Sequence, residues 1–214
     1  IREEPDNADY WQLQANAYLA QNKETEALTN LEILNDKGQA NPRTQLLLGD
    51  LYLRQDMAQQ ALSAYQSAIT QNAQPDWREA TRPLNYLIGK QQYQAAEKYL
   101  DHLRNNYSPS ADNQDSYRER IQRAQASMAM AKQNYKKAIQ QLEELVERNP
   151  MDGEALLLLA RAHRESEDFE TALYYAERAE HISDYRAKAL VTQARIHVQQ
   201  GEFQKALKPL RTAQ

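Results

Sequence analysis

Residues 153–184, GEALLLLARAHRESEDFETALYYAERAEHISD, decide how the rest of the chain is read, because their pattern returns at a fixed interval on both sides. Two small residues, Ala160 and Ala172, stand twelve apart, and the pairing returns as Ala194 and Ala206, Ala126 and Ala138, Gly49 and Ala61, and Ala15 and Ala27. Counting each unit from seven residues before its first small residue puts the starts at 8, 42, 77, 119, 153 and 187, in steps of 34, 35, 42, 34 and 34. Larger apolar residues such as Leu156, Leu159, Leu173 and Tyr175 recur at helical spacing. Each unit is therefore expected to be two helices that cross closely enough for their central residues to touch, which is why both must be small. One unit cannot bury its apolar stripe alone, whereas stacked neighbours bury a continuous core.

The unit can be compared residue by residue with a known repeat. The second unit reads Leu48-Gly49-x2-Tyr52, then Ala61-x3-Tyr65 and Ala68, and the first supplies Trp11, Ala15, Tyr18 and Ala27. Pro150 closes the fourth unit, and Pro5 holds the matching place ahead of the first. On these residues essentially the whole chain resembles the tetratricopeptide-repeat (TPR) family. The resemblance implies an all-α fold, a right-handed α-solenoid of about six helix-turn-helix repeats, forming one array over residues 1–214 that is cut at both ends. It also implies a non-catalytic scaffold for protein partners.

Composition bounds the alternatives. No apolar run approaches the roughly 18 residues that cross a bilayer, so this segment is expected to make no membrane contact. The 214 residues include no cysteine, which removes disulfides, thiolate nucleophiles and cysteine-held metal and is compatible with an exported or a cytosolic home. The chain opens at Ile1, which fits a trimmed precursor or an excised fragment, with any signal or anchor lying before it.

Local signals divide the chain in order. Asp6 and Asn7 are candidate caps for a helix from Ala8 to about Gln21; Glu24 to about Lys37 forms the second, ending at Gly38. Asn41-Pro42 restarts the pattern, and Asp76 with Glu79 resembles a capping box. The third unit is irregular: Leu84 replaces the first small residue, and Pro83 inside the first helix predicts a kink or a delayed start. Residues 105–114 account for the long step, either as a loop or through an early helix start with Ser116 and Glu119 as its capping box. Asp152 caps the helix after Pro150, and the last repeat is expected to leave Leu207 and Leu210 partly exposed.

An enzyme is disfavoured. Carboxylates cluster at Glu143, Glu144 and Glu147 and again at Glu165, Glu167, Asp168 and Glu170, at spacings that solvate helix faces and turns. His163 and His197 lie 34 apart in the place where the repeat prefers Tyr; two histidines without a third ligand read as packing, not as a metal site. No phosphate-cradling glycine loop, nucleophile elbow or HExxH motif is present, and no metal or other cofactor is expected.

In related TPR folds places 2, 5, 9 and 12 of each unit face a concave groove. By that resemblance the groove here turns basic toward the C-terminal half, and its partner-binding residues are Arg78, Arg120, Arg123, Leu157, Arg161, Arg164, Lys188, Val191 and Arg195, with the aliphatic ones as anchors. Guanidinium groups match two carboxylate oxygens at once, so an acidic protein or peptide segment is the expected partner. A terminal-carboxylate clamp of the chaperone-binding kind is only partly present: Asn16, Arg78 and Arg82 fit it, whereas Gln12 and Leu47 do not. Nucleic acid is not expected, because a chain of net charge −4 and pI near 5.7 lacks the basic footprint that phosphates need. Self-association through exposed terminal repeats is expected as well.

Phrases such as Asn30-Leu31-Glu32-Ile33-Leu34, Leu48-Gly49-Asp50-Leu51-Tyr52 and Ala61-Leu62-Ser63-Ala64-Tyr65, with Gln193-Ala194-x-Ile196 and Lys205-Ala206-Leu207, resemble bacterial TPR proteins associated with the TonB system. This implies an exported periplasmic accessory of TonB-dependent iron uptake. The alternative is a TPR scaffold for another envelope or cytosolic complex. The small-residue rule is testable: Ala172→Trp should destabilise by about 1–3 kcal/mol through overpacking, read from denaturant midpoints, and an unchanged midpoint would disprove close helix contact at that place.

Overall fold

Side chains that accept a hydrogen bond from the first turn mark where four of the six first helices begin. Asn41 accepts from the Thr44 amide with Pro42 at the first helical position, Asp76 from the Arg78 and Glu79 amides, and Asp152 from the Ala155 amide. Asn7 accepts from the Asp9 amide. The computed structural model describes residues 7–71 and 74–213, so Asp6 and Pro5 lie outside them. Among the described residues there are twelve α-helices and no strands: α1 (Ala8–Ala20), α2 (Glu24–Asp36), α3 (Pro42–Arg54), α4 (Ala58–Thr70), α5 (Trp77–Gly89), α6 (Tyr93–Asn106), α7 (Gln114–Ala131), α8 (Tyr135–Arg148), α9 (Gly153–Glu165), α10 (Phe169–Glu180), α11 (Arg186–Gln199) and α12 (Phe203–Thr212). They pair as six helix-turn-helix repeats, as the sequence predicts. No helix is long and apolar enough to cross a membrane among the described residues.

The turn inside each repeat has one construction. A residue in the left-handed region stands at Asn22, Asp56, Gln91, Gln133, Glu167 and Gly201, so the turns recur in the same steps of 34, 35, 42, 34 and 34. The next amide, of Lys23, Met57, Gln92, Asn134, Asp168 and Glu202, reaches back to the carbonyl five residues earlier at 2.8–2.9 Å. This closes the first helix and satisfies carbonyls that would otherwise be orphaned. Only the sixth repeat uses glycine there. The two histidines brace such turns: His163 Nδ1 lies 3.1 Å from Asp168 Oδ2, and His197 Nδ1 lies 3.0 Å from Glu202 Oε2.

The helices divide into two compact units, residues 1–117 and 118–214, the division falling within α7. In the N-terminal unit Ala15, Ala27, Leu31, Leu34, Leu48 and Leu51 form one buried cluster. Farther along, the Tyr65 and Tyr99 rings meet at 5.7 Å. The Tyr65 hydroxyl donates to Asp50 at 2.9 Å, Tyr99 donates to the Ala80 carbonyl at 2.8 Å, and Tyr107 donates to the Pro75 carbonyl at 3.0 Å. Burial, followed by the Asp76 carboxylate, pushes the Tyr107 phenol up to about 12. Gly49 is required: a Cβ there would come 2.2 Å from the Tyr65 ring. In the C-terminal unit Ala126, Ala138, Leu142, Leu145, Ala155, Leu156 and Leu159 form one cluster, and Ala160, Ala172, Ala176 and Ile196 another.

In the third repeat the delayed start does not occur, and of the two readings of residues 105–114 the early helix start holds without its Ser116 capping box. The first helix of the repeat starts on schedule at Trp77 and runs through Pro83 to Gly89. Proline there removes a single donor, and the Asp76 cap with buried Ala80, Thr81, Leu84 and Leu87 holds the helix around it. The extra residues before the fourth repeat form a 3-10 turn, Ala111–Asn113, that leads straight into α7 at Gln114. The helix thus begins early, which puts Ser116 inside its first turn and not at a capping position.

The turn construction predicts opposite effects for two substitutions. Gly201→Ala should destabilise by about 1 kcal/mol because a Cβ is strained at positive φ, while Glu167→Gly should be neutral or stabilise by up to about 1 kcal/mol by removing the same strain. Thermal unfolding of both variants checks this, and a stability loss for Glu167→Gly as large as that for Gly201→Ala would contradict it.

Candidate partner-binding groove

The C-terminal unit holds a groove of about 590 Å³ between first helices α9 and α11. Glu154, Leu157, Leu158, Arg161 and Arg164 line it from α9; Lys188, Thr192 and Arg195 line it from α11, with Tyr185 just before that helix. These spacings fall on one side of each helix. Arg161 and Arg195 hold the same place in successive repeats, as do Glu154 and Lys188, because their numbers differ by the 34-residue period.

One end of the groove is built from the start of α9. Asp152, buried, caps α9, and Arg123 donates to its other carboxylate oxygen while lying 3.6 Å from Glu154. At Gly153 the Tyr185 ring occupies the space of a side chain, since a Cβ would come 2.4 Å from it. Burial and then the Glu154 and Asp152 carboxylates push the Tyr185 phenol up, so it remains a neutral hydroxyl. The Lys188 ammonium lies 5.6 Å from the same ring. Leu157 and Leu158 are half-buried and pack on the core beneath, giving the groove an apolar floor.

At the other end the cations gather. Arg164 is mostly buried, donates to Glu165, and has a buried Nε without a hydrogen-bond partner. Arg161 and Arg195 are exposed, and among the described residues neither is ion-paired with a carboxylate. Just past α9, Asp168 is held below the usual carboxylate range: burial opposes this, but hydrogen bonds from Thr171 and His163 outweigh it.

Of the residues expected from sequence, the groove brings together Leu157, Arg161, Arg164, Lys188 and Arg195. Val191 is half-buried on α11 and does not line it. Arg123 is turned inward by the buried Asp152 carboxylate, and Arg120 is half-buried on α7; neither lines the groove. Arg78 belongs to the N-terminal unit, where its guanidinium sits 4.7 Å from the Trp77 ring centroid. In that unit Arg82 pairs with Asp50, and Arg43 lies 3.3 Å from Glu79. Leu158, Tyr185 and Thr192 were not anticipated. The glycine that opens α9 is the only sequence trace of the Tyr185 contact.

Residues 13–76 and 123–187 match the family model of the tetratricopeptide repeat. Comparison of the sequence with curated proteins finds no match. Solved structures share the fold at low identity. A tetratricopeptide repeat protein from Parabacteroides merdae is 16% identical with a TM-score of 0.67, over 96% of this chain and 78% of its own. PilW, a type IV pilus biogenesis factor, is 14% identical with a TM-score of 0.63, over 94% of this chain and 90% of its own. YrrB, a TPR protein with an unusual peptide-binding site, is 18% identical with a TM-score of 0.55, over 89% of this chain and 93% of its own.

The Gly153–Tyr185 contact is testable through a double-mutant cycle. Gly153→Ala should destabilise by about 1–3 kcal/mol, and Tyr185→Ala in the same chain should recover much of that loss because the clash disappears. Additive losses in the denaturant midpoint would show that the ring does not occupy the space above Gly153.

Proposed function

The chain belongs to the tetratricopeptide-repeat family, and from that premise we propose that the α9–α11 groove holds an acidic segment of a partner protein. The family's function is protein binding, and the observation that carries the finer reading is the pair Arg161 and Arg195. They stand at the same place of successive repeats, above an apolar floor, and no carboxylate of the described residues neutralises them. Arginine forks take carboxylates bidentately, while Leu157 and Leu158 supply the area that sets the lifetime of a complex. YrrB, which shares the fold, is described as having a peptide-binding site. No catalytic arrangement is part of this reading.

Two extensions belong to the same proposal. The exposed apolar residues of α12 support self-association through the terminal repeats. The phrases resembling TonB-associated TPR proteins support a periplasmic accessory role beside a TonB complex. The alternative is a scaffold for another envelope or cytosolic assembly, such as the pilus biogenesis in which PilW takes part. Affinity capture of the tagged protein from the cells that produce it separates these: recovery of TonB-complex proteins supports the first, and recovery of other partners alone overturns it.

The groove is tested with a fluorescent peptide of glutamate and leucine and its lysine counterpart. The acidic peptide should bind and the basic one should not. Arg161→Glu with Arg195→Glu should weaken binding by about tenfold or more without changing helicity, and added salt should weaken the wild type in the same direction. Equal binding by the double variant would remove the groove from consideration.

A further inference from the structure

The 34-residue period allows α8 to α10 to be compared with α10 to α12 place by place. His163 and His197 share one place and Glu143 and Glu177 another, whereas Tyr175 is answered by Pro209 and Arg178 by Thr212. Around α9 these side chains form one assembly. The His163 and Tyr175 rings stack, with centroids 5.5 Å apart and planes 24° from parallel, and the Arg178 guanidinium lies 5.7 Å from the same tyrosine ring. Tyr175 also packs on the cluster that holds Val146, Leu156 and Leu159. Burial, followed by the Glu143 carboxylate, pushes its phenol up, so it stands there as a neutral hydroxyl.

One period later the corresponding space is a cavity of about 780 Å³ between α10, α11 and α12. Leu190, His197, Pro209 and Thr212 line it, with Glu177 and Glu180 on the α10 wall. Proline and threonine cannot fill what tyrosine and arginine fill, so the cavity follows from these two residues, the matching place being filled by Tyr175 of its own repeat. The two imidazoles are held alike, through Nδ1: that of His163 lies 3.1 Å from Asp168 and that of His197 3.0 Å from Glu202. Yet among the described residues no aromatic ring packs on His197. Glu180 already accepts from the Gln193 amide at 2.8 Å, and Lys205 already donates to Glu202 at 2.7 Å, which leaves the Glu177 carboxylate as the acceptor for a hydroxyl. Lys208, exposed, stands at the place of Tyr174, whose ring meets that of Tyr175 edge-on, and its aliphatic stem can cover a ring from the same side.

We propose that this cavity receives a tyrosine side chain of a partner protein, its ring stacked on His197 as Tyr175 stacks on His163 and its hydroxyl donating to Glu177. The occupant is a protein side chain because the molecule itself places one at the matching position. It is an unmodified tyrosine because a phosphate on the ring would meet the Glu177 and Glu180 carboxylates. The site is separate from the α9–α11 groove: α11 presents Lys188, Thr192 and Arg195 to the groove, and Leu190, Gln193 and His197 to the cavity. A partner segment can therefore occupy either one without the other.

Amide chemical shifts in nuclear magnetic resonance test this with a neutral glycine-serine peptide carrying one central tyrosine, its alanine and phosphotyrosine counterparts, and N-acetyltyrosinamide. The tyrosine peptide should shift the signals of Leu190, His197 and Thr212 saturably, and the alanine peptide should not. Pro209→Tyr fills the cavity from within and should abolish these shifts, whereas Pro209→Ala, which lifts the proline constraint without adding a ring, should keep them. His197→Ala should weaken binding by about three- to tenfold, the worth of an aromatic pair, and carries the test if circular dichroism shows that Pro209→Tyr alters the fold. Absence of saturable shifts, equal binding by a folded Pro209→Tyr or by His197→Ala, or tighter binding of the phosphotyrosine peptide would overturn the proposal. Binding of N-acetyltyrosinamide without binding of the peptide would make the cavity a site for a small aromatic molecule and overturn the docking of a partner segment.

Discussion

The close approach of two helices at a pair of small residues is the contact on which the rest of this protein depends. Ala160 and Ala172, Ala126 and Ala138, and Ala15 and Ala27 are all fully buried, and a bulkier side chain at any of them would push the paired helices apart. That approach sets how the larger apolar residues meet the next repeat. At Gly49 it is extreme, since the Tyr65 ring stands where a Cβ would be. The third repeat shows what happens when the rule is relaxed. Leu84 takes the small place and is still fully buried, and in the same unit the Tyr65 and Tyr99 rings meet at a tilt, with Tyr65 donating to Asp50 and Tyr99 to the Ala80 carbonyl.

Charge is distributed by a similar economy. The chain is acidic as a whole, yet its cations on first helices have different fates. In the N-terminal unit Arg82 is committed to Asp50, which Tyr65 also grips, and Arg43 lies beside Glu79. In the C-terminal unit Arg123 is committed to the cap of α9. Such pairs orient backbone and side chains but leave little field for a partner, because an ion pair already satisfied within the fold gains little from a second carboxylate. Arg161 and Arg195 have no such commitment. The groove is therefore defined by the arginines that the fold leaves without a carboxylate partner, Glu154 on the same wall lying beside Arg123 instead.

The period by itself determined a great deal here. Small residues twelve apart, returning every 34, located six repeats, and caps such as Asn41, Asp76 and Asp152 located helix starts to within a residue, because both signals depend on local backbone geometry. The place-by-place pattern also put Leu157, Arg161, Arg164, Lys188 and Arg195 on one groove, since side-chain direction on a regular helix follows from residue number. The exposure of Leu207 and Leu210 followed from the same arithmetic.

Tertiary structure alone decided the remainder. That α5 begins on time and passes through Pro83 depends on the burial of Leu84 and Leu87, which outweighs one lost hydrogen bond; local propensity argued the other way. That Arg123 is an internal clasp and Arg161 an exposed cation cannot be read from two arginines on neighbouring first helices, because the difference lies in Asp152, 29 residues away in sequence and buried beside only one of them. Tyr185 entered the groove for the same reason, a contact with Gly153 made across a whole repeat. Repetition writes the positions of helices into the sequence, whereas the pairing of charges is settled by distances between repeats, which no single period encodes.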